Sequence, residues 1–158
     1  MEAESYEDAG LASYIHENFV PLGVHIKEDP RNFKRFDAVW TPTVLILDAG
    51  GNERRRLEGY LPKEEFQAFL ELGLARVAFM KKDWTTAEKH FDNVLRQFPD
   101  SKFAPEAVYY KGVSRYSGTH DAAELANTAA ALNENYAGNE WQLRSIPWLH
   151  EQTRTTSG

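Results

Sequence analysis

Apolar residues fall in short, interrupted groups over the first sixty positions, then recur at the three-and-four spacing of helices from Pro62 onward. Asp8 is placed to cap a helix that carries Leu11, Tyr14 and Ile15 on one face and ends near Asn18. Phe19 to Ile26 then reads as a strand. Pro21 and Gly23 make it irregular, so its paired part is expected at Leu22 to Ile26. Glu28-Asp29-Pro30 opens a second short helix holding Phe33 and Phe36. Thr43 to Leu47 is a near-continuous apolar run, the pattern of a strand covered on both faces. Asp48 to Asn52 has hairpin chemistry, and Arg54 to Gly59 is the returning strand.

Pro62 and Glu64-Glu65 start the next helix, with proline at an early position and acids facing the positive end of the dipole. Phe66, Phe69, Leu70, Leu74, Val77 and Ala78 hold a 3.6-residue period through to Met80, so one long helix should be shared by both halves. Beyond it the chain is all helical and faintly repetitive. Ala75, Phe79, Trp84, Ala87, Phe91, Val94 and Pro99 resemble the small, aromatic and proline positions of a tetratricopeptide repeat. Gly112, Tyr116, Ala123, Leu132 and Tyr136 make a poorer second pass, weakened by Ala129-Ala130-Ala131. Repeat arrays need about three units to stand alone, so two weak ones suggest an appendage. The predicted organisation is an α/β domain over residues 1–72, tetratricopeptide-like helices over 73–150, and a disordered tail over 151–158 that has no apolar anchor.

Charge sharpens this picture. The net charge is −6. Residues 1–72 hold 8 Lys and Arg against 14 Asp and Glu, and an acidic half is a poor surface for phosphates. No nucleic-acid partner is expected. Arg54-Arg55-Arg56 is the one basic run, and it reads as a charged edge strand that resists edge-to-edge pairing rather than as an anion site. No apolar run approaches the roughly 20 residues of a membrane helix, and the acidic N-terminus does not read as a signal peptide. No membrane partner is expected, and a cytoplasmic setting is the default.

Candidate chemistry is sparse. There is no cysteine, so disulfides, thiol nucleophiles and thiolate metal sites are excluded within this chain. None of the five histidines stands four residues from another. His25 with Glu28 and Asp29 could be drawn as a metal corner, but a strand histidine beside turn acids is far more often incidental. Neither Ser5 nor Ser13 sits in a nucleophile elbow. No catalytic residue, metal or cofactor is predicted. Of the adjacent pair Tyr109-Tyr110, one is expected to be exposed, because neighbours on a helix point in different directions.

The one distinctive stretch is Trp40-Thr41-Pro42-Thr43, running straight into Val44-Leu45-Ile46-Leu47. A Thr-Pro bond before a buried strand is a good place for a cis turn that presents backbone to a ligand, because the X-Pro bond has only a modest cis penalty. Together with Met1 to Tyr6, Asn18-Phe19-Val20-Pro21 and Gly59-Tyr60 before a helix, this stretch resembles a bacterial branch of the thioredoxin superfamily over residues 1–72. The resemblance implies an incomplete thioredoxin-like α/β fold with an all-α tetratricopeptide-like extension. It also implies that the loop docks an extended peptide, with Trp40, Thr41, Pro42 and Thr43 as binding residues.

In such families the segment like Met1 to Tyr6 directly follows a Cys-X-X-Cys motif, which is missing here together with the strand that would carry it. The resemblance places that strand between those expected at 22–26 and 43–47. Three outcomes follow: the two strands close up, another chain donates a strand (a strand-exchanged homo-oligomer included), or Met1 is not the native start. The expected function is a protein- or peptide-binding module without redox chemistry. The alternative is a shortened thiol-disulfide oxidoreductase whose cysteines lie upstream of Met1.

Overall fold

The computed structural model describes residues 8–149. The expectations for Met1 to Tyr6 and for the tail at 151–158 lie outside the described residues. The chain divides into two compact units, residues 1–63 and 64–158.

The first unit opens with α1 (Ala9–Asn18), capped as expected by Asp8, whose carboxylate accepts from the Leu11 amide at 2.9 Å. Lys63 reaches the same carboxylate at 2.6 Å. Helix α2 (Pro30–Arg35) starts at Asp29, which accepts from the Asn32 amide at 3.1 Å. Strands β1 (Thr43–Leu47) and β2 (Glu53–Glu58) then pair antiparallel, with a register irregularity between Ile46 and Leu47. The connection is built on Asp48. One carboxylate oxygen accepts from the Gly50 and Asn52 amides, each at 2.9 Å, and the other from Arg54 at 2.7 Å. Gly51 sits at φ 79°, a conformation open mainly to glycine.

Two expectations fail in this unit. Leu22 to Ile26 is not a strand: the chain runs without secondary structure to His25 and turns at Ile26. Pro21 has no amide to donate, and among the described residues no strand lies in register to pair with the segment. Nor is β1 covered on both faces. Only Ile46 is buried, and Leu47 is exposed, so the apolar run marks a strand that is half covered.

The second unit is helical. Helix α3 (Lys63–Met80) begins at the unit boundary as a single uninterrupted helix. It is followed by α4 (Trp84–Gln97), α5 (Ala104–Thr119), α6 (Ala122–Asn135) and α7 (Glu140–Leu149). Connections of a few residues make successive helices antiparallel neighbours. The core is assembled from small side chains with a few large ones: Ala68, Leu72, Ala75 and Ala78 of α3 meet Ala87, Phe91 and Val94 of α4 and Ala107 of α5. Alanine lets the helix backbones approach, and the aromatics fill what remains. Phe91 stacks on Tyr110 with centroids 6.1 Å apart, and Phe79 meets Trp84 edge-on at 5.2 Å.

Aspartates cap two of these helices. Asp83 accepts from the Thr86 amide, and Asp121 from the Ala123 amide. Glu65 accepts from the Ser101 hydroxyl at 2.7 Å and the Lys102 amide at 3.0 Å, tying the start of α3 to the turn before α5. The expectation of one exposed tyrosine fails. Tyr109 and Tyr110 are both half-buried in one aromatic cluster, where Trp141 of α7 contacts both and Trp148 stacks on Tyr109 at 4.7 Å. The short α5–α7 spacing supplies a ring for each of the two directions.

Candidate functional site

The loop Trp40-Thr41-Pro42-Thr43 is held from both ends. On its N-terminal side α2 ends at Phe36, and Asp37 turns the chain through a left-handed conformation at φ 51°. Arg56 of β2 fixes this corner by donating to the carbonyls of Phe36 and Asp37. On the other side the Gly59 amide donates to the Pro42 carbonyl at 2.8 Å, which extends the β1–β2 ladder by one position. The Thr43 hydroxyl donates to the Trp40 carbonyl at 2.5 Å and closes the turn. The Thr41–Pro42 peptide bond is cis.

What the loop presents is apolar and uncharged. Val39 is 79% exposed and Trp40 66%, and Tyr60, next to the Gly59 that binds Pro42, is 65% exposed. Thr41 is exposed, and its backbone amide and carbonyl make no hydrogen bond among the described residues.

The ladder shows where further backbone groups point. Gly59 and Pro42 form a hydrogen-bonded pair, and pairs of this kind alternate along an antiparallel ribbon. Val44 opposite Leu57 and Ile46 opposite Arg55 therefore face β2 with their amides and carbonyls. Those of Thr43 and Leu45 point to the other side of β1, where no strand pairs among the described residues. An open strand edge thus continues directly from the exposed loop.

Two arginines of the basic run are held by carboxylates. Arg54 pairs with Asp48 at 2.7 Å, and Arg56 with Glu53 at 2.7 Å and Glu58 at 3.6 Å. Bonds from the Asn52 amide and side chain, with Arg54 beside them, hold the Asp48 carboxyl well below its ordinary range. Arg56 has the further task of anchoring the α2 corner. The sequence reading missed that task, because no local pattern links residues 36 and 56.

The remaining polar groups organise structure. His25 is exposed, its Nδ1 accepting from the Lys27 amide at 3.3 Å, and no cluster of metal-ligating side chains occurs among the described residues. Glu71 is buried within α3, where the Asn93 amide group donates to it at 2.8 Å and His90 Nδ1 lies 2.7 Å away. This cluster ties α3 to α4 in the helical unit. Nothing in the apolar spacing of α3 signals it, since Glu71 lies between the core residues Leu70 and Leu72.

The four residues singled out from sequence are thus brought together on one turn. Val39 and Tyr60 extend the apolar surface beyond what the motif indicated. In comparisons with known proteins, the model of a family described as a thioredoxin-like domain matches residues 1–74. No curated protein and no solved structure matches the chain.

Proposed function

Residues 1–74 are a thioredoxin-like domain carrying a helical extension, and on that footing we propose that this chain binds extended peptide segments of protein partners without redox chemistry. The observation that carries the reading is the continuity of an exposed apolar loop with an open strand edge. Trp40 offers a flat ring, and the amides and carbonyls of Thr41, Thr43 and Leu45 offer hydrogen bonds at the spacing of an extended chain. Backbone pairing of this kind supplies affinity with little sequence preference, and an aromatic anchor adds selectivity for apolar side chains.

Thiol-disulfide exchange needs a thiolate, and this chain has no cysteine. In this reading α3 to α6 are two helical hairpins of the tetratricopeptide kind that complete the molecule without contributing to the peptide site.

The test is a titration of unstructured apolar peptides followed by amide and indole NMR shifts. We expect shifts at Trp40, Thr41, Thr43 and Leu45. Trp40→Ala should weaken binding about tenfold or more, as truncation of a tryptophan anchor typically does. Equal affinity of the variant, or shifts confined to other surfaces, would refute the proposal.

A further inference from the structure

The aromatic cluster of the helical unit holds polar groups that its own packing does not use. Tyr109 and Tyr110 of α5 meet Trp141 of α7 with ring centroids 5.2 Å and 5.4 Å away, and Trp148 stacks on Tyr109. Arg76 of α3 lies over the same group, its guanidinium carbon 5.6 Å from the Tyr110 centroid and 5.8 Å from that of Phe79. Arg76, both tyrosines and both tryptophans are half-buried, so each keeps part of its surface in water.

These polar atoms are hydrogen-bond donors without protein acceptors. Among the described residues Arg76 makes no hydrogen bond or ion pair, and the two phenols and two indole N–H groups make no hydrogen bond. Guanidinium and indole N–H groups can only donate, and a phenol donates readily. Burial, with Tyr110 beside it, pushes the Tyr109 hydroxyl above its ordinary range, so it keeps its proton at neutral pH.

The neighbouring acids do not answer this demand. Arg144, 4.4 Å over the Trp141 ring, takes Glu140 as its partner, and Glu106, one turn before Tyr109 and Tyr110, does not pair with Arg76. Lys111, a half-buried cation on the same helix as the tyrosines, is paired with Asp92 at 2.8 Å. A half-buried cation without a carboxylate is thus a particular feature of Arg76. Its planar fork, held against two rings, is partly stripped of water and ready to receive a bidentate anion.

We propose that Arg76, Tyr109, Tyr110 and Trp141 form a second binding site, which takes a side-chain carboxylate of an acidic peptide segment carrying aromatic or aliphatic neighbours. The carboxylate would accept from Arg76 and a phenol, and the apolar neighbours would lie on the rings. One uncompensated guanidinium balances one carboxylate. Phosphate chains are disfavoured, because residues 64–158 carry 10 Lys and Arg against 13 Asp and Glu and offer no clustered positive field. The site lies wholly in the helical unit and is independent of the loop at Trp40.

The test is a titration of the full chain with a capped peptide alternating phenylalanine and glutamate, followed by the indole NMR signals of Trp141 and Trp148. The controls are its glutamine counterpart and inorganic phosphate. We expect both indole signals to shift with the acidic peptide, and its glutamine counterpart and phosphate to bind at least tenfold more weakly. Arg76→Gln should weaken the acidic peptide about tenfold or more. Arg76 bonds to nothing in the fold, so circular dichroism should not change. Tyr109→Phe, which keeps the ring and removes one donor, should weaken the peptide several-fold.

Equal affinity for the glutamine peptide, or undiminished binding in Arg76→Gln, would overturn the proposal. Phosphate binding as tight as that of the peptide would overturn it in favour of a general anion site. Shifts confined to Trp40 would overturn this site and leave the loop reading intact, whereas shifts at Trp141 and Trp148 alone would support this site and count against the loop.

Discussion

Two residues show how local geometry sets energetics here. Gly112 of α5 lies so close to α6 that a Cβ there would meet the Thr128 Oγ1 at 2.0 Å and its Cγ2 at 2.6 Å. Thr128 cannot swing away cheaply, because its hydroxyl donates to the Glu124 carbonyl at 2.7 Å. Gly112→Ala gains helix propensity of about 1 kcal/mol, but it overpacks a tight contact, which typically costs about 1–3 kcal/mol and more when backbone must shift. The contact should win, and urea denaturation should show a net loss of stability. A neutral or stabilising result would mean that the two helices are not in such close approach.

Asp48 makes a prediction of opposite character, one of pH. Its folded-state pKa is depressed by the Asn52 amide, the Asn52 side chain and Arg54. A depressed carboxyl stabilises the fold above its unfolded pKa, and that contribution is lost as pH falls through the folded value. Asp48→Asn should therefore destabilise the hairpin near neutrality. Its deficit against the wild type should shrink below about pH 4, where the ordinary carboxyl begins to titrate. Thermal melts of both proteins across that range would check this; a deficit independent of pH would assign the role of Asp48 to shape rather than charge.

At the scale of elements, legibility followed locality. Helices α1 to α3 could be read because their signals lie within one or two turns: Asp8 and Asp29 at the caps, Pro30 at a first helical position, and the apolar period of α3. The hairpin was equally plain in Asp48 to Asn52. The segment at 22–26 was misread because strand propensity states only what a chain would do beside a partner. Val20, Leu22, Val24 and Ile26 do alternate in the sequence and are exposed, but pairing is a property of two elements. For the site, the sequence marked the four loop residues. It could not show that Trp40 stays exposed or that Arg56 fixes the α2 corner, since both depend on residues brought together from separate elements. The Tyr109–Tyr110 pair went wrong for the same reason, because the rings of α7 that cover both lie some thirty residues away.

At the scale of the molecule, burial and exposure are distributed unequally. The hydrophobic cluster of α3, α4 and α5 lies within residues 64–158. Most of the large exposed apolar side chains, from Val20 through Trp40 to Tyr60, belong to residues 1–63. Apolar surface left in water by a unit with its own secondary structure is surface available to a partner. That distribution separates two functions a thioredoxin-like domain could have. A catalyst needs a thiolate that attacks a disulfide sulfur and a second thiol that releases the mixed disulfide. A binder needs only the surface, which is what the proposed function draws on. Incubated with a disulfide-linked peptide and a small-molecule dithiol, the protein should leave the rate of reduction at the buffer value or lower it by sequestering the peptide. A rate that rises in proportion to protein concentration would require a nucleophile other than sulfur and would overturn the proposal that this domain binds without redox chemistry.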